Sequence, residues 1–144
     1  MSRVIDDFFD DYYFLSNFYS APTEFEGVVY PTSENAYQAA KTTHIRSRKT
    51  FADPECTPAW AKRLGRSLDL RPDWEEVKEQ VMRDCLKSKF SDPALRALLQ
   101  ATGDAVLIEG NTWHDNIWGV CTCHRCPGNG QNLLGQLLEE LRGQ

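Results

Sequence analysis

The longest regular pattern in the chain starts at Pro72, where Trp74, Val77, Val81, Cys85 and Leu86 recur at three- and four-residue steps with charged residues between them. That period places the apolar side chains on one face of a helix reaching about Phe90. A second such run puts Leu133, Leu134, Leu137, Leu138 and Leu141 on one face, predicting a last helix from Asn132 that follows Gly128-Asn129-Gly130. Thr57-Pro58 and Asp92-Pro93 each set a capping side chain before a first-turn proline. They predict one helix through Ala61, Leu64 and Leu68, weakened at Gly65, and another through Leu95, Leu98 and Leu99, stopped at Gly103.

The residues from Tyr12 to Tyr30 are rich in aromatic and β-branched types and predict short strands, with Gly27 at a turn or bulge. Thr32 or Ser33 is placed to cap a helix over roughly 33 to 44, favoured by Ala36, Ala39 and Ala40. Ala105 to Glu109 has strand length, and Gly110 to Asn116 reads as a loop. There is no repeat, linker or low-complexity tract. These elements describe an α+β fold: a single, mostly helical domain over residues 1–144 with a small β-sheet.

Composition narrows the function classes. With 144 residues and 41% hydrophobic content, one core is expected and a second is not. A formal net charge of −5 argues against nonspecific binding along a phosphate backbone, although Lys62, Arg63 and Arg66 form a local basic group. The start, Met-Ser-Arg-Val-Ile-Asp-Asp, lacks the apolar stretch of a signal peptide, and no run has the length of a membrane helix. Five cysteines, three of them within Cys121 to Cys126, do not suggest a secreted disulfide framework. A cytoplasmic protein with reduced thiols is expected, with no membrane and no obligate protein partner.

Four segments carry candidate chemistry. Wound as a helix, Pro31 to Lys41 puts Glu34, Gln38 and Lys41 on one stripe. An acid and an amine on one face can move protons and attack or neutralise, while the bland alternative is a solvated face with a weak ion pair. In Trp113 to Gly119, Asp115 could hold ribose hydroxyls, Trp118 could stack on a ring, and Gly119 allows close approach. The alternative there is a turn in which Asp115 caps backbone groups. Gly128 to Asn132 could offer amides to a phosphate, or serve simply as a flexible lead into the helix. Cys121, Cys123, His124 and Cys126 have zinc-ligand chemistry, but Cys56 and Cys85 are isolated and provide no second pair, so a reduced loop is the default.

Taken in order, Phe14-Leu-Ser-Asn-Phe18, Pro31-Thr-Ser-Glu-Asn-Ala-Tyr-Gln-Ala-Ala-Lys41, Leu64-Gly-Arg66, Trp74 to Arg83, Lys89-Phe90, Asp115-Asn-Ile-Trp-Gly119 and Gly130-Gln-Asn-Leu-Leu-Gly135 resemble the NADAR family. The resemblance spans about residues 12 to 142. It implies hydrolysis of the bond between ribose C1 and a nitrogen, in phosphorylated ribosylaminopyrimidine intermediates of riboflavin synthesis or in ADP-ribose attached to guanine. Matched motif by motif, it implies Glu34, Trp74, Asp115 and Trp118 as site residues, Lys41 as the amine, and Asn17, Arg66 and Asn132 as substrate contacts. It implies no metal and no cofactor. One departure stands out: many relatives have His and an aromatic residue where this chain has Asn35 and Ala36, which puts base preference in question.

The resulting expectation assigns catalysis to Glu34, Lys41 and Asp115, and substrate binding to Asn17, Gln38, Arg66, Trp74, Trp118, Gly119 and Asn132. Glu34 and Lys41 are expected to face a cavity closed by Asp115 and Trp118. The rival from another class is a noncatalytic reader of ADP-ribose or NAD-like nucleotides, and a third reading is a zinc-dependent protein built on the cysteine loop.

Overall fold

A computed structural model describes residues 3–144. Met1 and Ser2, the head of the polar opening stretch and of the expected 1–144 domain, lie outside the described residues. In chain order the elements are strand β1 (Val4–Ile5), a 3-10 helix (Asp10–Leu15), strands β2 (Thr23–Phe25) and β3 (Val28–Tyr30), helices α1 (Ser33–Ala39), α2 (Ile45–Ala52), α3 (Pro58–Gly65), α4 (Trp74–Lys89) and α5 (Pro93–Ala101), strands β4 (Val106–Leu107), β5 (Gly110–Asn111) and β6 (Val120–Cys121), and helix α6 (Leu133–Arg142). This is the expected α+β class, dominated by helices. The strands, however, form three separate two-stranded pairs instead of one sheet. Two compact units divide the chain, Asn17–Asp92 and the residues up to Ser16 together with Pro93–Gln144.

The first of these units is built around α1. Thr32 caps it, its hydroxyl oxygen accepting from the Asn35 N–H at 3.0 Å. Alanines at 36, 39 and 40 let neighbours approach closely, and α1 packs against α2, α3, α4 and the β2–β3 hairpin. Six of its seven residues are buried, Glu34 being the exception. The hairpin pairs Thr23 with Tyr30 and Phe25 with Val28 across a turn in which Glu26 (φ 47°) and Gly27 (φ 86°) are both left-handed. That is the conformation a two-residue hairpin turn requires, at the glycine where the sequence placed it.

Asn35 shows how this core tolerates polarity. Its amide nitrogen donates to the carbonyls of Phe51 at 2.9 Å and Cys56 at 2.8 Å, and its oxygen accepts from the Thr32 hydroxyl at 2.6 Å. The departure at positions 35 and 36 therefore lies in the core, where both residues are fully buried.

Three expectations are corrected in this region and just before it. The strand-rich reading fails at its start, since residues 10–15 form a 3-10 helix with Asp10 and Asp11 in its first turn, where acids favour a helix. The first helix ends at Ala39, short of residue 44, because later carbonyls are taken by side-on partners: Lys41 O accepts from Arg71 N–H at 2.8 Å and Thr42 O from Arg48 Nε at 2.8 Å. Helix α2 was not foreseen. It buries only Arg48 and Phe51 and so carries no apolar stripe. Helices α3, α4, α5 and α6 lie where their caps and periods place them, although α3 stops at Gly65, before Leu68.

In the other unit, β1 pairs in parallel with β4 and β5 in parallel with β6, while α6 packs on β4 and α5 against α6. Gly110 and Asn111, expected in a loop, form β5.

Replacing Asn35 by Ala leaves two buried carbonyls without donors, at about 1–3 kcal/mol each, and a destabilisation of about 3 kcal/mol is expected. Urea denaturation of the two proteins measures it, and a loss under about 1 kcal/mol would contradict the staple role.

Candidate active site

Within Asn17–Asp92, the predicted stripe survives in part. Gln38 Nε2 donates to Glu34 Oε2 at 2.7 Å, one helical turn away, which fixes the orientation of the carboxylate. The Gln38 side-chain oxygen Oε1 is buried, has no donor among the described residues, and packs directly against Gly65 of α3. A Cβ at position 65 would collide with it, so the glycine that weakens α3 is what lets α3 reach α1 here. Asn17 secures the first turn: its backbone oxygen accepts from the Glu34 N–H at 3.0 Å, its side-chain oxygen from the Ser33 hydroxyl at 2.8 Å, and its amide donates to Met82 Sδ at 3.5 Å. The Asn17 backbone carbonyl thus anchors Glu34, and its side-chain amide is engaged by Ser33 and Met82.

Lys41 lies beyond the end of α1, so it reaches this region from a turn instead of from the helical i+7 position. Its ammonium sits 5.7 Å from the centre of the Tyr37 ring, whose centroid is 5.2 Å from that of Trp74 at a tilt of 56°. Burial pushes the Lys41 pKa below its ordinary value; Glu34 opposes the shift, while Arg66, Lys62 and Lys78 add to it. Glu34, Lys41 and Arg66 therefore share one electrostatic environment, joined through Tyr37 to buried Trp74. Arg66 is exposed at the C-terminal cap of α3.

Sequence reasoning missed one neighbour of this stripe, Tyr37, and one buried amine elsewhere on α4. Tyr37 bridges Lys41 and Trp74, and nothing in its spacing marks it. Lys89 is only 1% exposed, with its ammonium 5.6 Å from the Tyr19 ring centre and 5.1 Å from that of Phe90. Burial pushes its pKa down to about 7. A signal was present here, since Val81, Cys85 and Lys89 follow at four-residue steps and place an amine on the apolar stripe of α4.

The remaining predicted residues belong to the other unit. Asp115 Oδ1 accepts from the N–H groups of Ile117 at 3.1 Å and Trp118 at 2.9 Å, so one carboxylate oxygen organises its own turn. Asn111 buttresses it, its Nδ2 donating to Asp115 O at 2.8 Å and its Oδ1 accepting from Asp115 N–H at 3.1 Å. Trp118 is half-buried, and Gly119 lies against the Glu109 carbonyl where a side chain would not fit. Asn132, left-handed at φ 55°, accepts from Glu109 N–H at 3.0 Å and donates to Leu107 O at 2.9 Å. The N–H groups of Gln131, Leu133 and Leu134 donate to the carbonyls of Asn116 (2.7 Å), Ile117 (3.0 Å) and Trp118 (3.0 Å). The Gln131 and Asn132 amides, the latter donating to the Gly119 carbonyl at 3.2 Å, are thus held by the chain's own loop and closed to the phosphate expected at residues 128–132. Cys121, Cys123 and Cys126 gather on His114 and not on His124.

The sequence profile described as "NADAR domain" matches residues 6–144. The chain is 45% identical over 138 residues to "N-glycosidase YbiA" of Escherichia coli (strain K12), covering 94% of this chain and 82% of that protein. It is 35% identical over 132 residues to "Riboflavin biosynthesis protein VVA0006" of Vibrio vulnificus, covering 90% of this chain and 34% of the larger relative. Among solved structures, the NMR structure of the E. coli protein YbiA superposes with a TM-score of 0.84 at 43% identity, covering 100% of this chain and 86% of that one.

Buried Lys89 gives stability a pH dependence whose sign follows from its lowered pKa. Below about 7 the folded and unfolded chains both hold the proton, and the cost of burying the charge is complete. Between about 7 and the ordinary 10.5 only the unfolded chain holds it, so stability rises with pH. Lys41 acts in the same direction; the thiols of Cys85 and Cys56, pushed up from 9.0 by burial, oppose it as the pH nears 9, and Tyr30, pushed up to about 12, opposes it near its ordinary 10.0 and above. Lys89→Met should therefore lower the slope of urea midpoint against pH between about pH 7 and 9, the other groups contributing alike to both proteins. Equal slopes in the two proteins would refute the assignment.

Proposed function

The chain belongs to the NADAR domain family and is an N-glycosyl hydrolase, and from that premise we propose that it cleaves the C1–N bond of a phosphorylated ribosylamine nucleotide, with the Glu34–Lys41 region as its catalytic centre. The observation that carries this reading is the carboxylate of Glu34, held by Gln38 at 2.7 Å, in the same electrostatic environment as an amine that burial has made easier to deprotonate.

Glu34 acts as general acid and base: it protonates the ring oxygen or departing nitrogen and later activates water. Gln38 keeps one carboxylate oxygen fixed, and Asn17 fixes the turn from which the carboxylate projects. The neutral fraction of Lys41 attacks C1 of the opened sugar, expelling the amine-bearing base and forming a Schiff base. Water then hydrolyses this intermediate, releasing the sugar phosphate and restoring the lysine. Buried Trp74 and Tyr37 form an apolar wall that keeps the amine dry. Exposed Arg66, with Lys62 nearby on α3, supplies positive charge for the phosphate.

The choice of a small nucleotide over ADP-ribosyl-guanine in a long duplex is supported by the net charge of −5 and by the riboflavin-biosynthesis name of the Vibrio relative.

Glu34→Gln preserves size but removes proton transfer, so kcat should fall about 10²- to 10⁴-fold with little change in substrate affinity. Chromatography of products from ribosylaminopyrimidine phosphate, ADP-ribosylated guanosine and NAD identifies the base released. Binding without turnover in the unsubstituted protein would overturn the enzymatic centre and favour a reader. Borohydride added during turnover should attach the sugar to Lys41, and undiminished turnover with an unmodified Lys41 would replace the covalent route by an oxocarbenium one.

A further inference from the structure

Outside that centre, the described residues hold one concentrated group of soft ligands. His114, in the turn after β5, lies with Cys121, at the end of β6, and with Cys123 and Cys126 in the following loop. The ligating atoms of all four fall within 4.8 Å of one another. His114 Nδ1 is 3.4 Å from Cys126 Sγ, 3.4 Å from Cys123 Sγ and 3.7 Å from Cys121 Sγ. We propose that these four side chains bind one zinc ion as a closed structural centre.

Hydrogen bonding does not account for the arrangement. An imidazole Nδ1 has either one proton or one lone pair, and cannot satisfy three sulfurs at once. A disulfide does not account for it either, since all five cysteines are free and a bridge would use only two of the three thiols here. A tetrahedral ion does. With Zn–S near about 2.3 Å and Zn–N near about 2.0 Å, the sulfur-to-nitrogen edges of the tetrahedron are about 3.5 Å. The three observed distances bracket that edge, so the ion fits with little movement of its ligands.

The surroundings fit a metal centre as well. Asn116 Nδ2 donates to Cys126 Sγ at 3.5 Å while Asn116 Oδ1 accepts from Cys121 N–H at 2.9 Å, the kind of support that orients and partly neutralises a thiolate. Cys126 N–H donates to Cys123 O at 3.2 Å, closing the turn that brings both sulfurs to one side. His114 has a left-handed backbone (φ 67°), unfavourable for a residue with a Cβ. Three thiolates and an imidazole select zinc over hard cations, and each thiol loses its proton on binding. Four protein ligands leave no open position, so the ion holds structure and does no chemistry. It would clamp the ends of residues 114–121, and Asp115 and Trp118 lie inside that clamp.

Elemental analysis of the full chain, purified without added metal and with any affinity tag removed, should find one zinc per chain. His114→Ala and Cys123→Ser should each lower zinc content about tenfold or more, whereas His124→Ala should retain it. If the substituted proteins fail to fold, cobalt added to the chelator-treated wild type should produce the visible bands of a tetrahedral site and thiolate charge-transfer absorption. Protein that carries no zinc and gives no such bands, or a disulfide between these cysteines in freshly purified material, would overturn the centre. Zinc lost from His124→Ala and kept by His114→Ala would overturn the ligand assignment.

Discussion

A helix enclosed on nearly every side has to satisfy its polar side chains from within, and α1 lives under that constraint. Its backbone bonds to itself, and its neighbours are α2, α3, α4 and a hairpin, so its polar side chains draw on protein partners, buried Gln38 Oε1 being an exception. Asn35 answers with one carbonyl of α2 and one of the α2–α3 connection, and Ser33 with Asn17. Gln38 answers with Glu34, the only α1 residue that is not buried. The carboxylate is therefore aimed by the same hydrogen-bond accounting that lets the helix be buried at all. Binding geometry and fold stability are not separate features of this segment.

The same accounting explains what was legible in the sequence. Caps, first-turn prolines and apolar periods located α3 to α6, because those elements are half-exposed and their patterns record which face is covered. Helix α1 was legible in its start, where Thr32 caps, but not in its end, which depends on Arg71 and Arg48 reaching the carbonyls of Lys41 and Thr42. Helix α2 was invisible because its buried face consists of one arginine and one phenylalanine. Arg48 pairs with Glu26 at 2.8 Å and lies 5.4 Å from the centre of the Phe25 ring, so its burial depends on partners more than 20 residues away in the chain. No local pattern encodes such a partnership.

Glu34 and Gln38 were readable as a stripe since four residues make one turn. Lys41 was assigned to the right neighbourhood on a helical spacing that the structure does not keep. The segment 109–134 was readable only as residue types. Asp115, Gly119 and Asn132 were marked as ligand contacts, and much of their polar capacity turns out to organise the loop on the start of α6. A glycine-rich lead into a helix suggests a phosphate only while its amides are idle, and here those of residues 131 to 134 are occupied by carbonyls from 116 to 119.

Two lysines shifted by burial give the last step. Desolvation lowers the pKa of both Lys41 and Lys89, and in neither case is a neighbouring acid the leading influence. A structure selected for stability alone would replace such amines by apolar residues of similar length, because burying a charge costs more than the surroundings return. Lys41 has Glu34 within electrostatic reach and a path to Tyr37 and Trp74, which is the setting an amine nucleophile needs. Lys89 packs with the rings of Tyr19 and Phe90, and burial drives its shift. At Lys41 the charges of Glu34, Arg66, Lys62 and Lys78 act on top of burial, so its charge state follows the groups around the candidate site.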